Sequence, residues 1–408
     1  MAQTRHAVRF VILTVLIDAI GFGIVLPVMP GIVMKIGHLD LAQATRIGGW
    51  LGVVYAAVQF LGGPLMGNLG DRFGRRPVLL GSLAGFAIDY MLLAFAPTIA
   101  WLFAGRALAG LFGASYGPAG AAMADISAPE ERARHFGMIG ASFGIGFVVG
   151  PAIGGLLGEL GPRAPFYAAA CLAAFNLAVG ILVFPETLAA ERRRPFRFAR
   201  ANPLGAVLSL GRRPGVLPIG VALFWWQLAG MIFPSIWSFW MIAAFDSSPG
   251  MIGLSLACVG LMMAIGQGLL VGRVVKAVGE RRAAQIGLAS ATVGMIGYAL
   301  IGREWLIFPW LVFTALQCLI MPAVSGLMSR RVPADAQGEL QGFNGSIAAI
   351  AAILAPALYN PALAWATGGG APFRFPGLPF LIAALFALVA LAILFLVPKA
   401  QTPPSTPS

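Results

Sequence analysis

Apolar segments long enough to cross a lipid bilayer recur along this 408-residue chain. A membrane-spanning α-helix needs about 20 mostly apolar residues, because the bilayer core has no water to satisfy exposed backbone groups. The segments that meet this requirement are residues 8–30, 46–67, 78–97, 99–124, 136–159, 164–185, 216–244, 249–272, 283–302, 305–328, 340–363 and 375–397. The sequence therefore predicts an all-α membrane protein with twelve transmembrane helices.

The composition excludes several other classes of protein. Charged residues make up 10% of the chain, whereas soluble domains have about 25%. The net charge of +12 would suit nucleic acid, but the basic residues lie in short loops between apolar segments. Neither a nucleophile–base pair nor a phosphate-binding loop is recognisable, and the three cysteines and three histidines lack metal-ligand spacing. We therefore expect no enzyme activity, no metal site and no nucleic-acid partner.

The basic residues also predict the orientation of the chain. Of the 27 lysines and arginines, five fall in loops on one side of the predicted membrane and Arg106 falls inside a span. All the others fall on the opposite side. Positive residues accumulate in cytoplasmic loops, so both termini and the central polar segment are predicted to be cytoplasmic.

The central polar segment divides the chain into two sets of six spans. We predict a helical bundle over residues 1–185, a cytoplasmic linker over 186–214 and a second bundle over 215–397. Residues 398–408 are rich in proline and serine and are predicted to be disordered.

The two halves share an internal repeat. Gly67 and Gly74 are followed by Gly272 and Gly279, each 205 residues further along the chain. Half of the chain is 204 residues, so two six-helix units of common origin explain the match. Parallel repeats of this kind place a substrate site near the membrane midplane, between the halves.

The charged segment Gly67–Pro77 is the first copy of the repeat and is predicted to be a loop. Gly67 would allow two helices to approach, Asp71 would cap a helix or pair with a basic neighbour, and Gly74 would permit a tight turn. Lys276 stands where the second copy would have the aspartate, so a charge relay is expected mainly in the first half. The residues assigned to this gate are Gly67, Asp71, Arg72, Gly74, Arg75, Arg76 and Asp125.

The fifth span contains a glycine-rich motif with a central proline. Gly146 and Gly150 lie one helical turn apart, and Pro151 removes a backbone donor and kinks the helix. A face of this kind permits close helix packing. The residues assigned to this motif are Gly146, Gly150, Pro151, Gly154 and Gly155.

Three charged residues lie in the interiors of first-half spans, away from their ends, namely Asp18, Asp89 and Arg106. A charge at bilayer depth is costly and by default marks a functional site. A carboxyl group in a low-dielectric cavity can take up a proton near neutral pH, so we assign these three residues to proton coupling. A buried Asp–Arg pair that only fixes helix register is the alternative.

The second-half spans have no Asp, Glu, Lys, Arg or His in their interiors and offer apolar, aromatic and amide side chains instead. The aromatic residues at positions 226, 233, 237 and 240 predict one helical face, which would suit an amphipathic, partly aromatic ligand. Aromatics at the lipid interface are the alternative. The residues assigned to the substrate cavity are Gln59, Trp226, Gln227, Phe233, Met263 and Gln267.

These motifs resemble those of a known family. Gly67–Pro77 resembles the signature between helices 2 and 3 of the major facilitator superfamily, and Gly146–Gly155 resembles its drug/proton antiporter signature. The likeness to the tetracycline efflux pumps of that superfamily covers most of the chain. It is carried by Asp18–Pro30, Gly67–Leu80, Asp89–Phe95, Gly140–Gly155 and Gly253–Gly272.

The resemblance implies the major facilitator fold and proton-coupled efflux of a drug-like molecule from a bacterial cytoplasmic membrane. A monomer that uses the proton gradient, without a cofactor, is expected; an uptake carrier for a small metabolite is the alternative. The matched positions used for gating, coupling or substrate contact are Asp18, Asp71, Arg75, Asp89, Arg106 and Gln267. Met263 and Ala291 depart from the family's pattern of a histidine and an aspartate, so tetracycline is one candidate substrate among others.

Overall fold

The computed structural model describes residues 2–113, 116–128, 130–196, 215–333, 336–369 and 371–397. Within these ranges, twelve helices are long and apolar enough to cross a membrane, which confirms the predicted fold class. The first six are α1 (Ala2–Val25), α2 (Leu41–Phe73), α3 (Arg75–Phe95), α4 (Ile99–Phe112 and Tyr116–Ile126), α5 (Arg132–Gly158) and α6 (Ala164–Val183). The other six are α7 (Leu217–Gly230 and Ile232–Phe245), α8 (Pro249–Val278), α9 (Glu280–Leu300), α10 (Glu304–Ser329), α11 (Gln337–Thr367) and α12 (Leu378–Leu396).

The predicted start of the chain was wrong in one respect. Helix α1 ends at Val25, before Pro27, and a separate short helix follows at Met29–Gly37. Proline disfavours helical backbone in the residue before it, which accounts for the early end. Helix α2 begins at residue 41 because Asp40 and Gln43 form a capping box, so Arg46 lies inside α2 and not in a loop.

The segment Gly67–Pro77, predicted to be a loop, is helical except for one residue. Helix α2 continues to Phe73 and α3 starts at Arg75, so Gly74 alone makes the turn. Its backbone has φ +107° and ψ 163°, a region that in practice only glycine adopts. In the second copy Gly279 has φ +82° and ψ 161° between α8 and α9. A side chain at Gly67 would meet nothing within 4 Å, so the predicted close helix approach there is absent.

We call α1–α6 the first half and α7–α12 the second half. In the first half, α1 packs on α5 and α6, and α3 packs on α6. The second half has the equivalent contacts: α7 packs on α11 and α12, and α9 packs on α12. The halves meet mainly where α2 packs on α11 and where α5 packs on α8. The residues of the predicted linker beyond 196, and the whole predicted tail 398–408, lie outside the described residues.

The face with the start of α1, the end of α12 and the turns at Gly74 and Gly279 is called the termini side here, and the opposite face the far side. The halves are joined at the far side by polar contacts. The Ser238 hydroxyl donates to the Leu26 carbonyl at 2.7 Å. The amide of Asn360 donates to the Thr45 carbonyl at 3.0 Å. These contacts hold the two halves together on the far side.

A third far-side contact joins α5 to α8. The carboxylate of Glu159, which follows α5, accepts the Gly250 N–H at 2.8 Å at the start of α8. Its hydrogen bonds with the Ser248 hydroxyl and the Gly250 N–H lower the pKa of Glu159. A carboxylate at a helix N-terminus also interacts favourably with the helix dipole.

The two turn glycines provide a matched test of the fold. Alanine at either position should lower the free energy of unfolding by about 1–3 kcal/mol because of the backbone conformation. Gly74→Ala should cost more than Gly279→Ala, since only its Cβ would collide with the carboxylate of Glu186. Thermal unfolding of the purified variants measures the difference. Equal shifts would show that Glu186 moves aside without cost.

Candidate substrate cavity and charged clusters

A cavity of about 580 Å³ lies between the two halves. The first half supplies its ionisable and amide side chains, Asp18, Gln59 and Arg106. The second half supplies an aromatic and aliphatic wall that includes Phe233 and Trp237. The cavity thus has one polar wall and one apolar wall.

Asp89 and Arg106 form a buried ion pair on the polar wall. The Arg106 Nη2 donates to the Asp89 Oδ2 at 2.7 Å, which links α4 to α3. Asp89 has no solvent exposure, whereas Arg106 also lines the cavity. In the described part of the chain no hydrogen-bond partner is recorded for Asp89 Oδ1. Arg106 therefore stands between the carboxylate and the cavity.

The other predicted polar residues reach the cavity directly. Asp18 on α1 lines it, together with Tyr55 and Gln59 on α2. The Gln59 amide donates to the Tyr55 hydroxyl at 3.3 Å and lies 3.4 Å from the Gly113 carbonyl. The guanidinium of Arg106 lies 5.9 Å from the centroid of the Tyr55 ring. Tyr55 was missed in the sequence, although it lies one turn before Gln59 on the same face.

The aromatic wall is part of a larger cluster inside the second half. The ring centroid of Phe233 lies 5.6 Å from that of Trp237, and the rings of Trp237 and Trp240 are 5.2 Å apart. Trp237 and Trp240 are 2% and 1% exposed and pack on Tyr298 and Phe380. The alternative of lipid-facing aromatics is therefore wrong for these two tryptophans.

Four residues predicted for the cavity do not line it, namely Trp226, Gln227, Met263 and Gln267. Helix α7 breaks at Met231, so Trp226 is buried in the second-half core and does not continue the face of Phe233. Gln267 is exposed within a π-helical turn, Gly266–Leu270. Regular helical spacing could not reveal either irregularity. The cavity instead includes Phe22, Phe147, Ser235 and Ser238, which only the tertiary structure brings together.

The predicted gate contains an ion-pair cluster between three first-half helices. The Arg75 guanidinium lies 2.8 Å from Asp71 on α2 and 3.0 Å from Asp125 on α4. The Arg75 side chain is only 12% exposed, so the two carboxylates compensate a largely buried cation. Arg72 instead lies over the ring of Phe73, with 4.9 Å between the guanidinium carbon and the ring centroid.

Glu186, which the sequence assigned to the linker, belongs to the same region. Its carboxylate accepts the backbone N–H of Arg75 at 2.8 Å and that of Arg76 at 3.3 Å, and so caps the N-terminus of α3. Arg76 in turn donates to the Ile181 carbonyl at 2.8 Å near the end of α6. The beginning of the predicted linker is therefore fixed to the gate.

The second half has its own ion pair at the equivalent place. Glu280 lies 2.9 Å from Arg330, and these residues follow Arg75 and Asp125 by 205 positions each. Lys276 follows Asp71 by the same 205 positions. All three charges are thus inverted between the halves, so each half has its own charged cluster. The signal was present in the sequence, since the repeat offset alone identifies Glu280 and Arg330. The charge relay, expected mainly in the first half, stays a prediction.

The glycine-rich motif of α5 packs on two helices. A Cβ at Gly150 would lie 2.6 Å from the Ile20 carbonyl of α1. A Cβ at Gly155 would lie 2.6 Å from the Pro249 carbonyl of α8. Gly146 and Gly154 also pack on α1. The ring of Pro151 lies against Gly23 of α1, and the Pro151 carbonyl lies against Gly253 of α8. The motif therefore holds α1 and α8 close to α5.

The family model of the Major Facilitator Superfamily matches residues 11–356 and, in a second match, 227–408. The chain is 38% identical to the class C tetracycline resistance protein of Escherichia coli, over 96% of this chain and 97% of that protein. It is 33% identical to the class H tetracycline resistance protein of Pasteurella multocida, over 87% and 88%.

Solved structures share the fold. The human organic anion transporter MFSD10 is 23% identical with a TM-score of 0.69, covering 96% of this chain and 99% of that one. A bacterial homologue of the lysosomal transporter Spinster, in an inward-facing and unoccupied conformation, is 16% identical with a TM-score of 0.78, covering 97% of each.

The inverted ion pairs predict a charge-swap result. Glu280→Arg and Arg330→Glu should each destabilise the termini side, since each places like charges together. An exposed pair contributes about 0.2–1 kcal/mol, so the expected loss is a small decrease in Tm. The double variant, with the charges exchanged, should recover most of it in a double-mutant cycle. Additive losses would contradict a direct interaction.

Proposed function

Because this chain belongs to the Major Facilitator Superfamily, we propose that it exports an amphipathic, partly aromatic small molecule in exchange for protons. The cavity carries this proposal, since one wall has Asp18 and Arg106 and the other has Phe233 and Trp237. An aromatic wall with a few polar groups suits such a ligand. The tetracycline resistance proteins similar to this chain make tetracycline the first compound to test.

In our proposal the protein is an integral protein of a bacterial cytoplasmic membrane, with the termini side in the cytoplasm. The concentration of arginine on that side supports this orientation. The halves are joined on the far side by the contacts of Ser238, Asn360 and Glu159. In this proposal the conformation described here receives the drug from the cytoplasm, since the halves are joined on the far side.

Proton coupling is assigned to the first half because Arg106 contacts both the cavity and Asp89. A buried carboxylate that loses its cationic partner is strongly destabilised. Movement of Arg106 toward a bound substrate would therefore favour protonation of Asp89, and return of Arg106 would favour release of the proton. Asp18 faces the same cavity and provides a second carboxyl group for this exchange.

The two departures from the tetracycline efflux pattern do not alter the cavity. Met263 does not line it, and Ala291 is 2% exposed within the second-half core. Ionisable groups are therefore confined to the first-half wall of this cavity. Selection of the substrate by the second half then depends on shape and aromatic contact.

Uptake of a polar metabolite is the competing function. Of the cavity residues from the second half, the hydroxyl side chains are Ser235 and Ser238. Both hydroxyls already donate to backbone carbonyls, those of Met231 and Leu26. A polar substrate would need more free donors and acceptors than this wall presents, so export of an amphipathic compound is favoured.

Asp89→Asn tests the coupling assignment. The variant keeps the size of the side chain but has no carboxyl group to protonate, so gradient-driven transport should decrease by about tenfold or more. The membrane level should stay unchanged. Asp40→Asn, at the exposed N-terminal cap of α2, is the matched control and should keep wild-type transport. Wild-type activity in Asp89→Asn would remove this residue from the coupling step.

Everted membrane vesicles with an imposed pH gradient test the direction of transport. An acidic vesicle interior should drive uptake of tetracycline or another amphipathic drug, and a protonophore should abolish it. Import into right-side-out vesicles along the inward proton gradient would instead establish an uptake carrier. Drug fluxes and the internal pH are followed together with fluorescent reporters.

A further inference from the structure

Several glycines on the termini side have no packing role in this conformation. A Cβ at Gly137 or Gly144 of α5 would meet nothing within 4 Å, and the same holds for Gly268 and Gly272 of α8. At the far side of the same two helices, a Cβ at Gly155 would lie 3.0 Å from the Gly253 Cα. The glycines of one helix pair are thus tightly packed at one end and uncontacted at the other.

Uncontacted glycines inside helices carry a cost. Glycine destabilises a helix by about 0.5–1 kcal/mol relative to alanine, and nothing around Gly137 or Gly272 excludes a side chain. In membrane helices, small residues allow two backbones to approach closely. The contact that would require these glycines is absent from this conformation, although another arrangement of the same helices could form it.

The register of the existing crossing identifies that contact. Helices α5 and α8 run in opposite directions, and Gly260 of α8 packs against Val148 of α5. Eleven residues, or about three helical turns, lead from Val148 back to Gly137. Gly272 lies twelve residues after Gly260, one more than this spacing. The π-helical turn Gly266–Leu270 accommodates one extra residue between them, so Gly272 takes the position that residue 271 would have in a regular helix. Gly137 therefore lies on the face of α5 that is turned toward α8, and Gly272 lies on the face of α8 that is turned toward α5. Both are about three helical turns from the contact between Val148 and Gly260.

The second pair of crossing helices shows the same pattern independently. A Cβ at Gly52 of α2 would lie 3.2 Å from Pro356 of α11, near the far side. Gly63 lies eleven residues from Gly52 on α2, and Gly345 lies eleven residues from Pro356 on α11, both toward the termini side. A Cβ at either of these glycines would meet nothing within 4 Å. Both cross-half helix pairs thus continue into uncontacted glycines at matching positions.

We infer that these glycines form a seal at the termini side in a second conformation, with Gly137 against Gly272 and Gly63 against Gly345. This inference rests on the proposed transport function, which requires the cavity to open to each side in turn. Rocking of the halves about the central cavity, with loss of the far-side contacts, would bring the termini-side ends of the two helix pairs together. The seal needs no change within either half, since each charged cluster is already paired inside its own half.

Cysteine cross-linking tests the register of the seal. In a chain whose Cys171, Cys258 and Cys318 are replaced by serine, Gly137→Cys with Gly272→Cys should form a disulfide under a mild oxidant in membranes. Phe136→Cys with Gly272→Cys is the control, because adjacent helical residues point about 100° apart. No disulfide in the glycine pair, or equal yields in both pairs, would overturn the inference.

Bulky substitution tests the consequence for transport. Gly272→Val should leave the Tm of the conformation described here unchanged, since its side chain meets nothing, but it should abolish transport. Gly81→Val on α3 is the matched control, because this glycine is also uncontacted and α3 packs on first-half helices. Full transport by Gly272→Val would overturn the seal and leave the proposed function intact. Failure of the wild-type chain to transport any drug would instead refute the proposed function, while the cross-linking result still reports on the seal.

Discussion

The inability of the bilayer core to solvate a lone charge determines how this protein is built. Asp89 satisfies that constraint through Arg106, at 2.7 Å, and the pair is placed so that only the cation reaches the cavity. The second half meets the same constraint differently, with an aromatic and aliphatic wall around Phe233 and Trp237. The first half thus supplies the charged groups of the cavity, because Asp89 and Arg106 neutralise each other there, and the second half supplies its apolar wall.

Close approach of backbones is the second organising element. Glycines of α5 pack against the backbones of α1 and α8 at the far side, where the polar contacts of Ser238 and Asn360 also join the halves. On the termini side, the charged clusters around Arg75 and Glu280 are paired within their own halves. In the proposed transport cycle, opening of that side would separate apolar and glycine surfaces and would leave the ion pairs of these clusters intact.

The repeat explains why the two charged clusters correspond position by position but with inverted sign. An ion pair is equally well satisfied with its charges exchanged, so Arg75–Asp125 and Glu280–Arg330 can fulfil one structural role. The turn glycines cannot be exchanged in this way, because the positive φ of Gly74 and Gly279 is combined with a ψ near 160°, a region that in practice only glycine adopts. The two halves thus differ in the sign of these charges but share the backbone geometry of the turn.

The twelve spans and the polar cavity residues of the first half could be predicted from the sequence, because the length of an apolar segment and a charge within it are local properties. Only the tertiary structure decided that Asp89 is hidden behind Arg106, that Glu186 caps α3, and that Trp226 and Gln267 lie away from the cavity. The break in α7 at Met231 and the π-helical turn in α8 change the direction of the side chains that follow them, relative to a regular α-helix with 3.6 residues per turn. Contacts between distant segments depend on such rotations, which is the physical reason that the cavity could not be derived from spacing alone.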